Sequence, residues 1–274
     1  MAGRDSGFPK VVLVVLDGLG AETAFAEFGW LEALTVSGRA ARWTMTCCLP
    51  SLSRPLYHTV LSGLPPLAHG IVSNEINVPA REETVFTVAR ANGRKTAASA
   101  SHWFAELYHA NPYVPAEHRE VDDPQAVIQH GRYYSTFDCP DEEVFHAAGS
   151  LIRRHAPDFL LLHAPACDTI GHRFGGQSAE YRRTASMAGD LIARYGTDWL
   201  EQGYRLVVTA DHGMDDIGWH GGTRPAARQV PFYVVGARVS GAQTAPADQL
   251  SVAPTVLSLL GLPVPAGMTG VVLG

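Results

Sequence analysis

The four cysteines, Cys47, Cys48, Cys139 and Cys167, include no CxxC pair. That excludes a cysteine-built zinc site, and four thiols in 274 residues are too few for a disulfide scaffold. Long hydrophobic runs are also missing: Val11–Leu16, the first apolar stretch, is far too short to span a bilayer. Met1–Lys10 carries no apolar signal-peptide stretch ahead of it, so the expected location is cytoplasmic, without membrane association. Positive charge is not in excess, and a net charge of −6 leaves no basic footprint for nucleic acid. Hydrophobic residues make up 46% and charged residues 18%, which is globular rather than disordered composition. No internal repeat, low-complexity tract or interdomain linker is visible. What the chain does have is histidine, twelve in all, and their positions matter more than their number.

Short apolar runs at Val11–Leu16, Phe159–His163, Leu206–Thr209 and Phe232–Val235 read as buried parallel strands, covered on both faces. Thr96–Ser99, after the turn signal Asn92-Gly93, is a weaker one. Helical patterns alternate with them at Pro55–Leu61, Thr84–Ala91, Glu142–Arg154, Ala179–Tyr195 and Val252–Leu260. The alternation predicts an α/β fold: a doubly wound, mostly parallel central sheet sandwiched by helices. Residues 1–274 read as a single domain. Trp103–Cys139 has no clean period and reads as a small cap or insertion, near 103–140.

In an open sheet of this kind, ligands bind at the carboxyl ends of the strands. Asp17 directly follows the first run. Asp211-His212-Gly213 follows the third, with a glycine that permits a sharp turn. After the second run come Asp168 and His172, four residues apart and so one helical turn, able to reach one ion. His220 sits in Gly-Trp-His-Gly-Gly, a loop built for close approach. Each of these alone has a bland alternative, a helix cap or a surface histidine. Together they supply three carboxylates and three imidazoles, too many for one catalytic zinc but suited to two ions. Such a set favours zinc, accepts manganese or iron, and disfavours calcium. Ser53 precedes Arg54-Pro55 and a helical pattern, which places it at a helix N-terminus where an anion is favoured.

These motifs, in this order, resemble the alkaline phosphatase superfamily, in particular its type I phosphodiesterase/nucleotide pyrophosphatase-like branch. The resemblance runs through Asp17, the block around Ser-Gly-Leu-Pro-Pro-Leu-Ala-His-Gly-Ile, Asp-Thr-Ile-Gly-His, Thr-Ala-Asp-His-Gly-Met and Trp-His-Gly-Gly. It implies a nucleophile ten residues before Gly63, which is Ser53 with Pro55 two residues on; Ser51 fails that spacing. It further implies one divalent metal on Asp168, His172 and His220, and another on Asp17, Asp211, His212 and the Ser53 oxygen. The activity implied is metal-dependent phosphoric ester hydrolysis through a phosphoseryl intermediate, on a small-molecule phosphoester. Leu56 stands where the branch commonly has a phosphate-binding Asn, so Arg54 is weighed as a substitute substrate contact, and Asn74 as a substrate or structural residue. The sulfatase signature, an Arg four residues after the nucleophile, is replaced by Tyr57. Alternatives are phosphonoacetate hydrolase-like C–P cleavage, a phosphomonoesterase or a sulfatase of the same superfamily, or a catalytically inactive binding module. The sequence carries no signal for oligomeric state.

Overall fold

The computed structural model describes residues 7–236 and 240–274. Its strands are β1 (Lys10–Leu16), β2 (Ala40–Thr46), β3 (Thr96–Ser101), β4 (Glu120–Asp122), β5 (His130–Tyr134), β6 (Phe159–Ala164), β7 (Tyr204–Thr209), β8 (Gln229–Val235), β9 (Gly241–Ala242) and β10 (Ala247–Asp248). All belong to one sheet in the order β10-β2-β8-β7-β1-β6-β3-β5-β4, with β9 beside β2. The central strands β7, β1, β6, β3 and β5 run parallel. One helix layer contains Asp141–His155 and the long helix Ala179–Glu201. The other contains Ser53–Ser62, Val85–Ala91 and Val252–Leu259. With both faces covered, β1 from Val11 onward and all of β6 are buried, which is why they read as unbroken apolar runs.

Two readings of the sequence need correction. Phe232–Val235 is a strand, but β8 lies antiparallel to both β7 and β2. An apolar run reports burial on two faces and is silent about direction. The strand β2 went unread because Arg42 and Thr44 interrupt its apolar positions, although Ala40, Ala41, Trp43 and Met45 are buried. The stretch Trp103–Cys139, read as a cap, contains part of the sheet itself. There β5 adds to β3 in parallel and β4 folds back as the antiparallel edge. Edge strands carry charged side chains toward water, here Glu120 and Asp122, and this blurs their period. Among the described residues no helix is long and apolar enough to cross a membrane.

Candidate metal centre and nucleophile

The sheet order sets β7, β1 and β6 side by side, so the loops leaving their carboxyl ends are neighbours. Asp17 leaves β1, Asp211 leaves β7, and Asp168 lies in the first turn of the helix Ala166–Phe174 that follows β6. Ligand atoms of Asp17, Asp211 and His212 lie within 4.8 Å of one another, as do those of Asp168, His172 and His220. These are the two sets that the resemblance implies.

Each imidazole is turned inward by the same device. Nδ1 of His172 is 2.8 Å from the Gly218 carbonyl oxygen, that of His220 2.8 Å from the Ser51 carbonyl, and that of His212 3.0 Å from the Gly213 carbonyl. A carbonyl can only accept, so each Nδ1 bears the proton and each Nε2 presents a lone pair. The Nε2 atoms of His172 and His220 then face each other at 3.1 Å. Two opposed lone pairs at that separation repel unless a cation lies between them.

The carboxylates tell the same story. Asp17 Oδ1, Asp168 Oδ1 and Asp211 Oδ2 are buried with no hydrogen-bond partner among the described residues. Burial, and then the charge on Asp17, push the Asp168 and Asp211 carboxyls well above the ordinary range. Burial also acts to raise Asp17, but His163, His212 and the Tyr57 hydroxyl outweigh it and hold that carboxyl below its usual value. Burial, and then the neighbouring His220, drive His212 down to about 3, so it is a neutral ring. Orphaned buried oxygens and unprotonated ring nitrogens converging in two groups are what divalent cations require, so the residues fit the ions.

Ser53 is the first residue of the buried helix Ser53–Ser62, and its Oγ lies 3.1 Å from His212 Nε2. Asn74 Oδ1 accepts the Arg54 backbone N–H at 3.0 Å, which fixes the residue next to Ser53. The Arg54 side chain, weighed as a substrate contact, is already committed. It pairs with Glu106 at 2.8 Å, donates to Asn77 Oδ1 at 3.0 Å, and its guanidinium lies 4.5 Å from the Trp103 ring centroid. Ser51, rejected as nucleophile, organises the other set: its hydroxyl accepts from Gly221 N–H and donates to the Gly222 carbonyl.

Several residues of the site escaped the sequence reading. The Tyr57 hydroxyl donates to Asp17 Oδ2, and His163 Nε2 lies 3.4 Å from the same oxygen. Tyr134 hydroxyl stands 2.6 Å from His163 Nδ1. Tyr181 clamps the turn after Asp17, donating to the Gly18 carbonyl at 2.5 Å and accepting from Gly20 N–H at 2.9 Å. Gly18 N–H in turn donates to Asp211 Oδ1 at 3.1 Å. Gln249 donates to the Asp211 carbonyl at 2.6 Å. The available signals were a Tyr one helical turn beyond Ser53 and a His closing a buried strand.

A third group, Asp122, His130 and His155, brings ligand atoms equally close. Its rings stack face to face at 3.7 Å and 18°, so their in-plane lone pairs cannot meet on one ion. Arg132, 2.8 Å from Asp122, completes an ion-pair network there. A surface cavity of about 380 Å³ opens beside His220, walled by Ile217, Trp219 and Arg224.

A helix-flanked mixed sheet with such loops at its carboxyl edge is the fold of the alkaline phosphatase superfamily. Residues 11–224 match the type I phosphodiesterase / nucleotide pyrophosphatase family, and the chain belongs to that family. It is similar to a GPI ethanolamine phosphate transferase 2 from Eremothecium gossypii, 24% identical over 305 residues, covering 97% of this chain and 35% of that protein. A Crotalus durissus collilineatus venom phosphodiesterase is 24% identical over 233 residues, covering 77% of this chain and 27% of that protein. The chain thus spans about a third of the length of these curated relatives. Among solved structures, murine ectonucleotide pyrophosphatase / phosphodiesterase 5 superposes with a TM-score of 0.70 at 13% identity, covering 93% of this chain and 96% of that one.

Proposed function

We propose that the protein is a metal-dependent phosphoric ester hydrolase acting on small-molecule phosphodiesters through a phosphoseryl intermediate on Ser53. The supporting observation is the set of three imidazoles, each locked through Nδ1 with Nε2 turned inward, among orphaned buried carboxylate oxygens. Asp17, Asp211, His212 and Ser53 would hold one cation; Asp168, His172 and His220 would hold the other. Bound there, two divalent cations, zinc best matching the donors, would lower the hydroxyl pKa of Ser53 and neutralise charge on the phosphoryl oxygens.

Ser53 Oγ attacks phosphorus, the P–O bond to the leaving alcohol breaks, and the departing oxygen takes up a proton. Water then displaces Ser53 from phosphorus, returning the hydroxyl and releasing the phosphomonoester. The Ser53 helix presents its N-terminus to the phosphoryl group, where amide dipoles favour negative charge. Asn74 fixes the first turn so that this end keeps its place.

A second reading replaces water by an alcohol in the second half, making the protein a phosphoester transferase. It is favoured by the relative named as an ethanolamine phosphate transferase, which aligns with 97% of this chain. The chemistry at Ser53 is the same in both.

The test is a panel of bis-nitrophenyl phosphate, mono-nitrophenyl phosphate, nitrophenyl sulfate and phosphonoacetate with zinc or manganese supplied. The diester should turn over fastest. Product partition with added ethanolamine separates hydrolysis from transfer. Failure to cleave any phosphoester, in protein shown to carry both ions, sinks the proposal.

A further inference from the structure

The candidate cation ligands are not braced alike. The three histidines lean on backbone carbonyls, but Asp17 is held by side chains drawn from two other elements. Its two oxygens have separate surroundings. Oδ1 is buried without a hydrogen-bond partner and lies 3.4 Å from His212 Nε2, on the side of Asp211 and Ser53. Oδ2 faces the opposite way, toward the Tyr57 hydroxyl and His163 Nε2.

The order of donors follows from what each group can do. A carboxylate accepts only, so the Tyr57 hydroxyl donates to Oδ2. Tyr57 stands one helical turn beyond Ser53, which puts the nucleophile and this donor on one face of the same helix. His163 closes β6, paired in register with Val15 two residues before Asp17. The Tyr134 hydroxyl, on β5, stands 2.6 Å from His163 Nδ1, and a hydroxyl proton given to that nitrogen would leave the ring proton on Nε2, 3.4 Å from Oδ2. All of these side chains are buried, in an aromatic nest. Tyr57 stacks on Phe104 at 4.5 Å, and the His163 ring meets Tyr57 edge-on at 4.6 Å. Rings packed in this way have one rotamer each, so the donors cannot swing off the carboxylate. In so dry a setting, the Tyr57–Asp17 and Tyr134–His163 hydrogen bonds are strong, and the 3.4 Å approach of His163 to Oδ2 adds an electrostatic hold.

We infer that Tyr57 and His163, with Tyr134 behind, are positioning residues that fasten the outer oxygen of Asp17 and aim its inner oxygen at the cation shared with Asp211 and His212. The inference rests on the metal reading above. Outer partners of this kind orient a ligand and set its basicity, and their loss lowers metal affinity by roughly 10- to 100-fold. The other cation, on Asp168, His172 and His220, receives nothing from this brace.

The experiment measures zinc by competition with a chromophoric chelator, on the full chain, wild type against Tyr57→Phe, His163→Gln and His163→Ala, with thermal melting as the folding control. His172→Ala is added as a background in which the Asp17 ion is read alone. Tyr57→Phe should weaken that ion by roughly 10- to 100-fold and leave the other within about twofold. His163→Gln keeps a donor at the Nε2 position and an acceptor for Tyr134, so it should restore most of what His163→Ala loses. Should His163→Ala fail to fold, Tyr57→Phe and His163→Gln decide the matter, since both keep the volume of the nest. A wild-type chain that takes up no zinc overturns the metal reading itself. A wild type with both ions, whose affinity at the Asp17 site is unmoved by Tyr57→Phe, overturns the brace alone. So does equal weakening of both ions, which is the mark of a general loosening.

Discussion

Ser53 Oγ and His212 Nε2 stand 3.1 Å apart although 159 positions separate them in the chain. The contact joins the start of a helix after β2 to the loop after β7. It makes the nucleophile and a candidate cation ligand a single unit. Replacement of Ser53 by Ala removes the attacking oxygen and little else. Turnover should fall on the order of 10³-fold or more, while zinc content stays near wild type. Substantial activity in this variant would remove Ser53 from the mechanism.

The two donor sets share no residue, so they should be separable. Asp211→Asn and His172→Ala are each expected to lose one ion per chain and keep the other, as read by metal analysis after dialysis. A chelator should inactivate the enzyme, and zinc or manganese should restore it. Loss of both ions from either single variant would mean the sites are not independent.

Gly18 follows Asp17 with a φ of +71°, and an added Cβ would come 2.8 Å from the Asp168 Cα. Nothing flexible can yield there, because the nearest atoms are the backbone and Cβ of a candidate ligand. Gly18→Ala should therefore shift Asp17 and Asp168 apart. A displacement approaching 1 Å at such a site costs about 100-fold in rate. Activity within twofold of wild type would show that the turn tolerates the crowding.

Asp141 caps the approach to the Asp168 helix, accepting the Ala166 N–H at 3.1 Å. Burial, and then the charges of Glu142 and Asp17, raise its pKa to about 7. A carboxyl raised in the folded state contributes stability below its unfolded value, 3.8, and loses it as pH climbs through about 7. Asn keeps the acceptor and cannot ionise. In metal-free protein, Asp141→Asn should match wild type near pH 4. Its advantage should grow to on the order of 2–4 kcal/mol by pH 8. Denaturant melts at the two pH values measure it, and a constant difference between them would refute the assignment.

Trp219 is 66% exposed although it directly precedes His220. Its backbone N–H donates to Asp215 Oδ1 at 2.7 Å, which anchors the chain there, and the side chain lines the cavity. An aromatic leaving group should rest on it. Trp219→Ala is expected to raise KM for bis-nitrophenyl phosphate about tenfold, at ~1.4 kcal/mol, with kcat little changed. An unchanged KM would place the leaving group elsewhere.

Much of the centre is legible in the sequence because a buried parallel strand announces itself and its carboxyl end is where ligands gather. Asp17, Asp168 and Asp211 could be grouped on that ground, and His172 through its helical spacing. The place of Ser53 at a helix N-terminus was legible from Pro55 and the helix behind it, while its choice over Ser51 rested on the family spacing. What stayed hidden depends on lateral contacts. Tyr134 reaches His163 across two strands, and no local pattern records which residues a sheet will set abreast. Direction was equally silent in β8, whose apolar run would look the same reversed. The segment from Trp103 to Cys139 misled because an edge strand mixes inward apolar and outward charged groups.

The short bridge between Ser51 and Gly221 couples the approach to the nucleophile with the loop that carries His220. One residue, Leu52, lies between that bridge and Ser53, and His220 is directly adjacent to it. The bridge therefore holds the start of the Ser53 helix and the His220 loop in one register.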